Sequence, residues 1–278
     1  MIHYLTDPLQ YTFIQRAMIS GVIIGILCAS WGTFIVLRRM ALVGHALGHT
    51  ALPGLVIAYL LKISLLLGAF VSILATALGI GFLAKDDKVY EDTSGGMFTT
   101  VMFAFGVLLI STTKSYRDLF SMLFGNILGV TNTDFILIVC IAVFALAVLF
   151  LFFKELKLFS ADPGYAKTIG IPVNVLRYGL LVFLTLTVVA GIQAVGIILT
   201  NALLIIPVAA ARLLTDRLRI MILWSGLFAV LSVLGGIYAS FYFGFAAGAS
   251  IVLFCAFFFA LAWAFKNIQK LANKSHRS

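Results

Sequence analysis

Nine long apolar runs constrain this chain more than any other feature of its sequence. They fall at about residues 13–37, 42–61, 64–83, 95–111, 134–153, 178–194, 196–212, 220–241 and 246–265. A helix needs about 20 apolar residues to cross the hydrocarbon of a bilayer, because each residue advances it by about 1.5 Å. Inside lipid the backbone finds no water, so only helices or closed barrels can satisfy its polar groups. Barrel strands are short and alternate in polarity, and these runs do not alternate. Composition agrees, with 63% of the 278 residues hydrophobic and 10% charged, against about a quarter charged in soluble domains. The expected fold is an all-α polytopic membrane protein, one domain over residues 1–278 with eight to nine transmembrane helices. Eight applies if one pair of the shorter runs is broken or re-entrant.

Charge then sets direction. The net charge of +9 comes from basic residues where short loops meet the runs. Alternate connections carry Arg38 and Arg39, then Lys85 and Lys88, then Lys154 to Arg177, then Arg212 to Arg219, and the C-terminal tail is also basic. The positive-inside rule puts these on the cytoplasmic side, with the C-terminus inside. Nucleic acid is therefore not an expected partner. Cys28, Cys140 and Cys255 lie far apart within apolar runs, as small core residues rather than a disulfide or metal framework. The N-terminal segment lacks the basic start and cleavage site of a signal peptide, so the first helix is expected to remain.

Two connections exceed what a turn needs. One, about 113–132, contains an apolar piece, Leu119 to Leu128, too short to span and suited to lie across an entrance. The other, about 154–177, holds Asp162-Pro163, the pattern of a helix cap followed by its first residue, with Gly170 and Pro172 about two turns later to end the helix. A short helix there suits either a partner contact or an ordinary amphipathic connector.

His45 and His49 stand four residues apart in "GHALGH". That spacing puts both imidazoles on one helix face, the way a helix presents two nitrogens to one metal ion. With Arg39 at the boundary, His49 lies about ten residues further, near mid-bilayer. Ionisable groups at that depth mark ion or proton pathways. Gly44 and Gly48 are also four apart, a pattern for close helix packing, in which the histidines merely bond across helices. The sequence holds both readings open. No acid lies between the histidines to serve as a general base, so HExxH-type hydrolysis is not expected. The stretch "KDDKVYEDTSGG" is expected to be solvated contact surface, and Gln193 and Asn201 to bond between helices. No GxxxxGK[ST] occurs, so any ATP must be bound by another subunit.

Four segments, in order from about residue 10 to 265, resemble one known family: "GTFIVLRRMALVGHALGHTALPG", "EDTSGGMFTTVMFAFGVLLIS", "DLFSMLFGNILGV" and "QAVGIILTNALLIIPVAAARLLTDRL". They are similar to the membrane permeases of ABC importers for manganese, zinc or iron. The resemblance implies a homodimer related to vitamin B12-type importers. Its partners would be two ATP-binding subunits, an extracellular metal-binding lipoprotein and the lipid of a bacterial cell membrane. It implies a coupling helix that contacts the ATPase through Asp162, Pro163, Gly164, Ala166 and Gly170, and an outer gate at Leu119, Phe120, Leu123 and Phe124. His45 and His49 would be the pore's metal ligands.

One departure stands out. The family places Asp and His four apart, and here His45 takes the Asp position, while Gly48 replaces a Ser. Imidazole suits zinc, copper, iron and nickel, whereas carboxylate suits manganese. An all-imidazole site should also lose affinity as falling pH protonates it. The expected function is a permease subunit, not an enzyme, passing Mn2+ or Zn2+ with no permanently bound cofactor and with ATP consumed in a partner. The rivals are a proton-coupled or secondary carrier acting alone, which would call for inverted repeats and intramembrane acids, and a metal-dependent intramembrane hydrolase.

Overall fold

The computed structural model describes residues 10–85, 90–111 and 127–275. Among them nine helical segments are long and apolar enough to cross a membrane, and there is no strand. The elements are α1 (Thr12–Leu37), α2 (Ala41–His49), α3 (Ala51–Leu60), α4 (Leu65–Leu83), α5 (Glu91–Ser111), α6 (Asn132–Leu151), α7 (Phe153–Ala161), α8 (Pro163–Thr168), α9 (Val173–Val195), α10 (Ile197–Leu214), α11 (Leu218–Phe243) and α12 (Ala247–Ser275). A break does occur in the second apolar run, yet its two halves together are long enough to cross, so the described residues hold nine candidate spans.

That break has a local cause. Pro53 has no N–H to offer the His49 carbonyl, so the helix loses a bond one turn before the proline. Thr50 keeps right-handed dihedrals (φ −74°, ψ −3°), and the path bends without reversing. The Ser72 hydroxyl of α4 donates to the Thr50 carbonyl at 2.6 Å, using an acceptor at the bend.

α1 is the central post, packed by α6, α9, α10 and α11. Its Ile24, Leu27, Cys28, Trp31 and Phe34 are fully buried, and Trp31 stacks on Phe183 of α9 with ring centroids 4.9 Å apart. Gly32 permits the closest approach, because a side chain there would overlap the Leu204 carbonyl of α10. Buried hydroxyls at Thr33, Thr185 and Thr200 donate to carbonyls four residues earlier at 2.7, 3.0 and 2.7 Å, which keeps them satisfied without water. The outer helices turn apolar side chains outward instead, among them Val71, Phe82, Val101, Leu108, Leu253 and Phe257, a surface that lipid rather than water solvates.

Helix ends differ from the apolar runs in a consistent way. α5 starts at Glu91 and α9 at Val173, each a turn before the apolar stretch, and α12 runs on to Ser275. Polar residues continue the backbone ladder beyond the hydrocarbon, so hydropathy marks where lipid ends and not where the helix does.

Candidate functional site

α2 has two chemically distinct faces. Gly44 and Gly48 meet α10, where a Cβ would stand 2.7 Å from Leu204 Cδ2 and 2.8 Å from Asn201 Nδ2 respectively. His45 and His49 lie on a different face, with ring centroids 4.5 Å apart and planes inclined at 60°. His45 is exposed and His49 half-buried, with its ring edge-on to Phe103 of α5 at 5.9 Å. The glycines therefore serve packing while the imidazoles remain available. Among the described residues no three His, Cys, Asp or Glu side chains are grouped to hold a metal, so one copy brings two nitrogens.

The start of α2 is held by other helices. Met40, at its N-cap, makes no side-chain cap. Asp92 of α5 supplies one instead, accepting from the Leu42 N–H at 2.8 Å. The neighbouring Glu91 Oε1 lies 3.1 Å from both Arg38 Nη2 and Arg177 Nε, with side-chain exposures of 15%, 9% and 17% for the three residues in that order. Arg38 Nη1 donates to the Phe159 carbonyl at 3.3 Å, its guanidinium lies 4.0 Å over the Phe159 ring, and Nε approaches Met40 Sδ at 3.4 Å. Arg177 also donates to the Ala84 carbonyl at 3.1 Å. Burial pushes the Arg38 guanidinium below its ordinary pKa, and the Glu91 carboxylate opposes that shift. The expectation that the stretch KDDKVYEDTSGG is solvated contact surface is thus corrected for Glu91, whereas the bond from Leu42 to Asp92 lies at the exposed surface. Two guanidiniums draw the Glu91 carboxylate inward, whereas Tyr90 beside it is exposed.

The Asp162-Pro163 pattern forms the structure expected of it. Asp162 caps α8 by accepting from the Tyr165 N–H at 2.9 Å, Pro163 is the first helical residue, and Gly170 (φ +84°) takes the left-handed turn that ends the segment. Ala166 is buried, and Gly164 lies beside the Asp162 carboxylate. Tyr165 on this helix and Ile169 at its C-cap, which the cap pattern does not single out, are exposed large apolar side chains.

At the opposite end, Asp134 and Thr131 cap α6 reciprocally, and Gln193 of α9 donates to the second Asp134 oxygen. This bears out an interhelical role for Gln193. The Asn201 Oδ1 is buried without a hydrogen-bond partner among the described residues. Leu119, Phe120, Leu123 and Phe124 lie outside the described residues. Ile127, just beyond them, is buried against Gly21 of α1.

Comparison with known proteins places this arrangement. Residues 10–266 match the profile of the ABC 3 transport family. The chain is 41% identical over 275 residues to the manganese transport system membrane protein MntC of Halalkalibacterium halodurans, covering 99% of this chain and 94% of that one. It is 38% identical over 270 residues to the chelated iron transport system membrane protein YfeD of Yersinia pestis, covering 97% and 91%. Among solved structures, PsaBC from Streptococcus pneumoniae in complex with Fab superposes with a TM-score of 0.83 at 38% identity, covering 95% of each chain. The nine candidate spans among the described residues, the ordered motifs and these likenesses agree: the chain belongs to the ABC 3 transport family, as a membrane permease of it.

Proposed function

We propose that this permease passes manganese through a bacterial cell membrane into the cytoplasm, driven by ATP hydrolysis in a separate subunit. The observation that carries metal passage is the imidazole pair at 4.5 Å on the face of α2 that Gly44 and Gly48 leave free, and manganese as the cargo is supported by similarity to manganese-system membrane proteins. One copy supplies two nitrogens, fewer than the four to six donors a transition metal takes. A second copy related by a twofold axis would bring four imidazoles together at a shared pore, which supports a homodimer. The basic end, bearing Arg38, α7 and α8, faces the cytoplasm and the ATP-binding subunits, and the metal-binding lipoprotein delivers the ion at the other end. Asp162, Pro163, Gly164, Ala166 and Gly170 form the coupling contact, and Leu119, Phe120, Leu123 and Phe124 contribute to an outer gate.

One feature favours a second cargo. Four imidazoles and no carboxylate from this motif suit zinc or iron better than manganese. Uptake of radiolabelled manganese and zinc by the reconstituted importer separates the two. Manganese accumulation that depends on ATP and on His49 is the expected result. ATP-independent uptake by the permease alone would return the secondary-carrier reading.

A further inference from the structure

His45 lies in the second turn of α2, which starts just after the corner at Arg38, and Phe159 lies about one turn before Asp162, the cap of α8. The two stretches are far apart in sequence and meet at a single guanidinium. Among the described residues, the bond from Arg38 Nη1 to the Phe159 carbonyl ties α7 to the corner between α1 and α2, and the Phe159 ring lies flat beneath the same group. On its other side Arg38 is anchored to Glu91, whose neighbour Asp92 caps α2 at Leu42. A path therefore runs along α7 from the cap of α8 to Phe159, by polar contacts through Arg38 to Glu91, and by the next residue, Asp92, to the first turn of the helix that carries both imidazoles. Arg39 follows with a left-handed backbone (φ 58°), so the corner is a tight one at which a small movement of Arg38 redirects α2.

We infer that Arg38, held by Glu91, is a positioning residue for transport: it passes displacement of the α7–α8 segment to the imidazole face of α2. The inference rests on the transport reading and on α8 as the ATPase contact. An arginine suits the role because its planar fork can bond in several directions and stack on a ring at once, which a lysine ammonium cannot. Glu91 is shared, since Arg177 on α9 and, through the Ala84 carbonyl, the end of α4 converge on it. The carboxylate thereby references the moving corner to two further helices. Arrangements of this kind have discrete alternatives, because a shifted guanidinium must find a new set of acceptors rather than stretch the old one.

The test uses the whole importer, with its ATP-binding subunit and binding protein, in proteoliposomes, and reads manganese uptake and ATP hydrolysis on the same sample. Arg38→Lys keeps the charge opposite Glu91 but drops the fork, and Glu91→Gln keeps the size but drops the charge. Manganese moved per ATP should fall about tenfold in each, within the usual range of intersite coupling, while assembly and the hydrolysis rate stay near the parent's. An unchanged ratio in both variants overturns the inference. So does loss of assembly in Arg38→Lys, which would make the cluster a fastening. A parent complex that hydrolyses ATP without moving metal fails the transport reading and takes this inference with it. Normal parent transport with unaltered variants removes the inference alone.

Discussion

The Asn201 carboxamide occupies the space that a side chain on residue 48 would need: a Cβ on Gly48 would stand 2.8 Å from Asn201 Nδ2 and 2.9 Å from Oδ1. Gly48 and Asn201 are thus a matched pair, which gives the glycine next to His49 a packing reason. Gly48→Ala should lower stability by about 1–3 kcal/mol, the usual cost of overpacking. Asn201→Ala in the same chain should recover part of it, with recovery limited by Ile197 Cγ2 at 3.0 Å from the same point. Thermal unfolding of the detergent-solubilised single and double variants reads the coupling. Strictly additive effects would show that the two residues do not compete for this space.

The imidazoles should separate by role. His49→Ala is expected to abolish metal uptake with assembly intact. His45→Asp puts an oxygen donor back beside His49 and should raise the manganese-to-zinc uptake ratio about tenfold, equivalent to ~1.4 kcal/mol of discrimination. Competition between the two radiolabelled ions in one preparation measures it. A ratio that does not move would mean that residue 45 does not touch the ion, and that selection lies with the binding protein.

Much of this was legible in the sequence, for reasons that lie in the physics. Bilayer thickness fixes span length, so the nine apolar runs correspond to nine candidate spans among the described residues. A spacing of four fixes a helix face, so His45 and His49 met as expected, as did Gly44 and Gly48 on theirs. Asp162, Pro163 and Gly170 act within one turn of themselves, and local chemistry is readable locally. Glu91 was misjudged because its partners lie elsewhere in the chain, Arg38 on α1's end and Arg177 on α9, and no periodicity relates them. Gln193 and Asp134 are similarly remote, at facing ends of α9 and α6. Phe103, Tyr165 and Ile169 carry no motif. Their places follow from which side of a helix the fold leaves open.

Asp134 joins two functions whose sizes can be told apart. Thr131→Ala removes the cap of α6 and should cost about 1 kcal/mol. Gln193→Leu removes the bond to α9, of the kind that averages about 0.6 kcal/mol between membrane helices. Asp134→Ala removes that bond together with the two that Thr131 donates to the carboxylate, while the N–H of residue 134 can still donate to Thr131, so it should cost more than Gln193→Leu in thermal unfolding. If it matches Gln193→Leu, the bonds from Thr131 to the carboxylate contribute nothing to stability.

The α8 segment makes the last prediction, on docking. Asp162→Ala loses the acceptor for the Tyr165 N–H, which lies at 2.9 Å, and frees about 1 kcal/mol of local order. Gly170→Ala forces a side chain into φ +84°, a left-handed backbone that costs an L-residue roughly 1–2 kcal/mol. Both changes loosen a short exposed helix, so the unfolding temperature of the membrane helices should barely move. Tyr165→Ala removes a side chain that is 56% exposed, so it too should leave that temperature alone. All three should weaken capture of the ATP-binding subunit by the purified permease, with Tyr165→Ala acting through lost contact area and the other two through lost order. Undiminished capture in all three would place the ATPase contact on another part of the basic end, with the exposed Lys157 and Arg217 the next side chains to change.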